Sequence, residues 1–232
     1  MHAAEAGHEA VFKLGDTSSI KPFKARPEAV KALHERAGLK LPENPVEYVK
    51  RRLREVANAN RNVKMAVEVC VHCGVCLDNC PTYIRTKDIF NSPVGRAELI
   101  RAVLKADSPS GRLFGKLAGA VKLDEQHLEK IYTYYYQCLE CRKCAYACPF
   151  GIDQADFTRA VRSVLYEAGI VSRYIATVID AVERTGTNLA MKPAAVVKSI
   201  TVGLEALARY TGARPALLII RRCSRRGPAA ST

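Results

Sequence analysis

Eight of the nine cysteines fall into one pattern that the chain uses twice. The first copy is Cys70, Cys73, Cys76 and Cys80, followed by Pro81; the second is Cys138, Cys141, Cys144 and Cys148, followed by Pro149. Both read C-x2-C-x2-C-x3-C-P. Three thiolates at the close spacing wrap three corners of a [4Fe–4S] cubane. The fourth, set off by a longer gap and by a proline that turns the chain away, belongs to the other cubane. The spacing therefore predicts two [4Fe–4S] clusters with crossed ligation. Cys70, Cys73, Cys76 and Cys148 hold one; Cys138, Cys141, Cys144 and Cys80 hold the second. A structural zinc site takes four ligands, usually from two separated pairs, and has no use for the third cysteine or the trailing C-P. A disulfide framework suits a small secreted chain without a core of its own. The chemistry these residues can do is one-electron transfer.

The residues between the ligands differ in the two copies. The first has His72, read as a neutral, solvent-facing side chain, and Gly74, whose missing side chain lets backbone N–H groups approach sulfur. The second has Glu140, Arg142 and Lys143. Positive charge beside a cubane favours its reduced form, so the cluster of the second motif is expected to have the higher potential. The tyrosines Tyr132, Tyr134, Tyr135 and Tyr136 lead into the second motif and are read mainly as core. Cys223, the ninth cysteine, is expected to be an inert thiol, and no acid–base pair stands beside it, so no catalytic residue is assigned.

The elements that must position these cysteines read as helices. Pro27 opens one with Val30, Leu33 and Ala37 at helical spacing, closed by Gly38. Asn44 caps a second, with Val46, Val49, Leu53 and Val56 on one face and Lys50, Arg51, Arg52 and Arg54 on the other, fading in the Asn-rich stretch 58–62. Residues 81–137 separate the motifs and contain two more. Ser92 caps and Pro93 starts one, which ends at 108–111; Asp124 caps another that carries Leu128, Ile131 and Tyr135 into Cys138. After Cys148 come three amphipathic stripes: Phe157 to Ala168, Ile175 to Val182 behind Ser172, and Val196 to Leu207 behind Pro193. Not all three need pack within a small cluster domain, so one is a candidate partner-binding face. The fold class expected is mainly α, an α-helical ferredoxin domain with flanking helices. Residues 1–59 form an arm and helices, 60–170 the two-cluster domain, and 171–232 a helical extension with a basic tail.

Composition sets outer bounds. At 232 residues and 48% hydrophobic content the chain can bury a core in one or two domains. Thirty-six Lys and Arg against 23 Asp and Glu give a formal charge of +13. Eight ligating thiolates and two [Fe4S4]2+ cores would leave +9. That balance fits an acidic partner, an anionic surface or nucleic acid, or merely a solvated basic surface. Nothing reads as a helix-turn-helix, so an iron–sulfur regulator on DNA is the weakest reading, and no nucleic acid is expected as partner. Residues 1–11 lack an apolar signal core and a twin-arginine pair, and no apolar run approaches the roughly 18 residues of a membrane span. Thiolate ligation of iron calls for a reducing compartment, the cytoplasm by default.

The double cysteine run, its wide helical spacing and the stretch Asn91-Ser-Pro-Val-Gly-Arg96 resemble the two-cluster domain of heterodisulfide reductase and glycolate oxidase iron–sulfur subunits, over residues 60 to 170 or so. Many members of that group carry Cys-Cys-Gly domains on the same chain. This sequence has no adjacent cysteine pair and so is most similar to the stand-alone two-cluster component of heterodisulfide reductase, its C component. The resemblance implies a flavin and iron–sulfur subunit, A-like, on one side. On the other it implies a catalytic Cys-Cys-Gly subunit, B-like, handling a thiol–disulfide couple. The alternative is the iron–sulfur subunit of a membrane-associated, quinone-linked dehydrogenase.

Overall fold

In a computed structural model of the protein, Thr17 and residues 21–212 are described. Twelve α-helices account for most of them. They are α1 (Pro27–Ala37), α2 (Pro45–Ala59), α3 (Arg61–Glu68), α4 (Val75–Asp78), α5 (Pro81–Thr86), α6 (Pro93–Lys105), α7 (Pro109–Phe114), α8 (Glu125–Tyr136), α9 (Lys143–Ala147), α10 (Gln154–Glu167), α11 (Arg173–Thr185) and α12 (Pro193–Thr211). Among the described residues the single β feature is an isolated antiparallel bridge between Lys24 and Ser172. The chain divides into two compact units, the first ending at Arg173 and the second starting at Tyr174.

Local chemistry accounts for the helix starts. The Asn44 side chain accepts from the Glu47 N–H, Ser92 from Gly95 and Asp124 from His127. Each satisfies an N–H that has no partner inside the helix. Two stretches that read as helix ends in the sequence turn out to be helix starts. Asn60 accepts from Asn62 and Val63 and opens α3, and Ser108 accepts from Gly111 and opens α7. The same side-chain oxygen that competes with one helix caps the next, so an Asn or Ser in a gap has both meanings.

In the first unit α6 and α10 each pack against both α3 and α8, the helices that deliver the chain into the two cysteine loops. The core between them is Val63 and Ala66 from α3, Ala97, Ile100 and Val103 from α6, Leu128, Ile131 and Tyr135 from α8, and Phe157, Val161, Val164 and Leu165 from α10. Val49 and Leu53 of α2 join it. Each Leu, Ile or Val fully buried here contributes about 1.5–3 kcal/mol. The tyrosine run belongs to this packing. Tyr132, Tyr134 and Tyr135 are buried, and their hydroxyls donate to the Pro22 carbonyl, the Asp88 carboxylate and the Arg96 carbonyl.

The second unit contains α12, on which Ile200, Val202, Leu207 and Tyr210 are exposed. No described helix is long and apolar enough to cross a membrane. Cys223 and the basic tail lie outside the described residues.

Candidate functional site

The two cysteine loops have the same backbone. Cys70 follows α3 and Cys138 follows α8; Cys76 sits in α4 and Cys144 in α9, and α4 packs on α9. The third residue of each motif is left-handed, His72 at φ 56° and Glu140 at φ 52°. So is the fifth, Gly74 at φ 83° and Arg142 at φ 60°. Glycine is favoured there because φ is positive, not because an atom crowds it. A Cβ on Gly74 would meet only the Leu77 side chain, at 3.3 Å. Arg142 adopts the same conformation at the steric cost an L-residue bears in that region.

Each loop is held by a buried or half-buried arginine nine residues after a helix cap. Arg101, counted from Ser92, donates through Nε to the Val67 carbonyl (2.7 Å) and through Nη2 to the Ala66 and Cys70 carbonyls. Arg162, counted from Asp153, donates to the Tyr135 carbonyl through Nε and Nη2 and to the Cys138 carbonyl (2.6 Å). Both thus satisfy the last carbonyls of the helix that precedes a motif, and fix the carbonyl of its first cysteine. Each also meets the third residue of its loop. Arg101 Nη1 lies 2.7 Å from His72 Nε2, with Glu98 beside both, and Arg162 pairs with Glu140 at 2.6 Å. His72 is exposed, as read from the sequence, and meets Arg101 and Glu98 at the surface. Arg142 pairs with Asp153 at 3.0 Å and stays largely exposed, and Lys143 is exposed, so the charge of the first is offset and both are solvent-screened.

The sulfurs group across the motifs. One cavity is lined by Cys70, Cys73, Cys76, Cys144 and Cys148 together with Val94, Phe150 and Ile152. Cys80 is not in that lining. It is buried, 5% exposed, with the Thr82 hydroxyl at 3.0 Å from its Sγ and the Arg96 guanidinium at 4.0 Å. Burial works to raise the Cys80 thiol, but Thr82, the Tyr83 N–H and Arg96 together hold it below the ordinary thiol range. Cys144 is pushed up to about 12, by burial first and then by the charge of Cys138, with Cys80 and Cys76 adding to it. Burial, with Cys70 and Cys73 nearby, pushes Cys76 up to about 11. On the second motif Thr158 Oγ1 donates to Cys138 Sγ at 3.7 Å. Cys73 and Cys141 are exposed.

This donor set fits iron–sulfur cubanes. All eight donors are thiols, the ligand type that [4Fe–4S] clusters take. Buried thiols held at high pKa become thiolates only when a metal takes the proton's place.

Sequence reasoning took Arg96 only as the end of a family signature and passed over Arg101, Arg162, Thr82 and Thr158. One signal was available: Arg96, Ile100 and Val103 share a helical stripe, and a cation on an apolar stripe is either paired or poised against an anion. A second was not, because it joins segments remote in sequence. The buried Asp88 carboxylate accepts from the Thr17 N–H (2.7 Å), the Thr17 hydroxyl and Tyr134, and Asn91 Nδ2 donates to Thr17.

Residues 66–152 match the family described as a 4Fe-4S dicluster domain. The Hdr-like menaquinol oxidoreductase iron-sulfur subunit 2 of Archaeoglobus fulgidus is 42% identical over 175 residues, 75% of this chain and 32% of that protein. The dicluster domain of this chain is of the Hdr-like iron–sulfur kind. The corresponding iron-sulfur subunit of Archaeoglobus profundus is 40% identical over 174 residues, 75% of this chain and 31% of its own length. One component of the dihydromethanophenazine:CoB–CoM heterodisulfide reductase of Methanosarcina barkeri is 30% identical over 108 residues, 46% of this chain and 25% of that one. The chain spans about a third of the length of the first two relatives. No solved structure matches it.

Proposed function

We propose that this chain is a non-catalytic electron relay with two [4Fe–4S] clusters, ligated across the motifs. Cys70, Cys73, Cys76 and Cys148 hold one, and Cys138, Cys141, Cys144 and Cys80 the other. The observation that carries the reading is the grouping of the sulfurs. Cys148 shares a cavity with the three cysteines of the first motif, which Cys144 also lines, while Cys80 lies outside it. When bound, such clusters pass one electron at a time. The chain's part is to fix their separation and surroundings. Arg101 and Arg162 lock the loop carbonyls, Thr82 and Thr158 offer hydroxyls to sulfur, and α4 packed on α9 sets the two motifs side by side.

The partners we infer are those of an Hdr-like complex in thiol–disulfide or sulfur metabolism: a flavin and iron–sulfur subunit as one neighbour and a Cys-Cys-Gly catalytic subunit as the other. The names of the two Archaeoglobus relatives favour a second version, in which a menaquinol-linked subunit is the electron donor. Both versions keep the relay and differ in what docks on it. Affinity purification of the native complex with identification of its subunits separates them. A flavoprotein partner supports the first, a quinol-oxidising membrane subunit the second. The relay itself has a direct test. The purified, reconstituted chain supplied with a chemical reductant is expected to show no turnover with disulfide or thiol substrates, and turnover would sink the assignment.

A further inference from the structure

One side of the site holds a buried charge that the other lacks. Arg96 is 3% exposed; its Nη1 donates to the Asn91 carbonyl at 2.8 Å and its Nη2 faces Cys80 Sγ at 4.0 Å. Among the described residues no carboxylate pairs with it. Arginine does not shed its proton, so its burial calls for an anion nearby. The other buried or half-buried arginines of the site have theirs: Glu98 beside Arg101 and Glu140 beside Arg162. What its Nη2 faces instead is sulfur, the buried Cys80 Sγ. The two capping helices are otherwise alike, yet they differ here. Four residues after Ser92 stands Arg96, and four residues after Asp153 stands the fully buried Phe157.

We propose that Arg96 is the built-in counter-charge of the cluster that Cys80 completes and makes it the higher-potential member of the pair, the one on which an electron rests. The inference builds on the crossed-ligation relay reading. One electron is exchanged between the two centres, so what one loses the other gains, and no proton or co-reactant takes part. The added negative charge is favoured where a desolvated cation already waits, and at an effective dielectric near 20 a charge this close is worth well over a factor of ten. Arg142, paired and exposed, cannot do the same.

The test is an EPR-monitored redox titration of the full, cluster-loaded chain. Cys73→Ser and Cys141→Ser, ligands on which crossing has no bearing, first assign the two midpoints to the two motifs. Arg96→Met is then expected to weaken electron binding at the second-motif cluster at least tenfold, 59 mV for a one-electron couple, and to leave the other midpoint in place. Arg96→Lys, which keeps the charge, is expected to stay within about threefold of wild type. If the midpoint that moves is that of the first motif, crossed ligation fails and this proposal with it. If neither moves, both move equally, or Lys behaves as Met, Arg96 is structural and crossing is untouched. Should Arg96→Met load no cluster, the wild-type assignment decides: the midpoint surviving in Cys73→Ser must be the upper one, and survival of the lower overturns the proposal.

Discussion

Cys148→Ser is expected to cost the chain the cluster of the first motif while that of the second persists, with iron and acid-labile sulfide falling to about half. Cys80→Ser is expected to do the reverse. The reason is geometric: Cys148 lines one cavity with Cys70, Cys73 and Cys76, where Cys144 also reaches, whereas Cys80 lies outside that lining, beside Arg96 and Thr82. A cubane left with three thiolates and a serine is open at one corner, and the hydroxyl, far weaker as an acid than a thiol, is a poor replacement. EPR of the reduced variants, referred to Cys73→Ser and Cys141→Ser as markers of the two motifs, reads the result. If Cys148→Ser and Cys141→Ser lose the same signal, ligation is not crossed.

The double cysteine run was legible because spacing is a local property, and iron chemistry leaves few alternatives for C-x2-C-x2-C-x3-C-P. The helical frame was legible for the same reason: Val49 and Leu53, Ile100 and Val103, and Phe157, Val161 and Leu165 repeat at helical intervals and are the core. What surrounds the ligands was not. Arg101 and Arg162 reach carbonyls 24 to 35 residues away, a distance no periodicity reports. Arg142 and Lys143 looked decisive because they adjoin ligands in sequence, yet Arg142 is tied to Asp153 at the surface, while Arg96, 16 residues from Cys80, touches it in the interior. Adjacency in the chain is a poor guide to the field at a buried sulfur, because burial decides how much of a charge is felt.

The stretch Ser92-Pro-Val-Gly-Arg96 was legible only as a signature, and its physical content lies at Gly95. A Cβ built there would stand 2.0 Å from the Ile89 carbonyl oxygen, 2.8 Å from its carbon and 2.9 Å from the Phe90 Cα. These are backbone atoms of the 3-10 turn Ile89–Asn91, so no side chain can swing aside. The first turn of α6 would have to lift off that turn. Asp88 and Asn91 would be pulled with it. The Asn91 carbonyl receives Arg96 and the Thr82 hydroxyl, and Asp88 holds Thr17 and Tyr134. Overpacking by one methyl usually costs about 1–3 kcal/mol. Each buried hydrogen bond broken adds about 1–3 more, against a total stability of about 5–15. Gly95→Ala is therefore expected to lower stability by more than about 3 kcal/mol. It should lose the cluster completed by Cys80 before the one completed by Cys148. Gly203→Ala is the control, since its Cβ would meet nothing within 4 Å inside α12. There alanine should stabilise the helix by about 0.5–1 kcal/mol. Thermal unfolding of the loaded chains, followed together by circular dichroism and by the absorbance of the clusters, compares the two. A Gly95→Ala chain that melts with wild type and keeps both clusters would show that α6 can move off the turn at little cost, and that the turn does not hold Cys80.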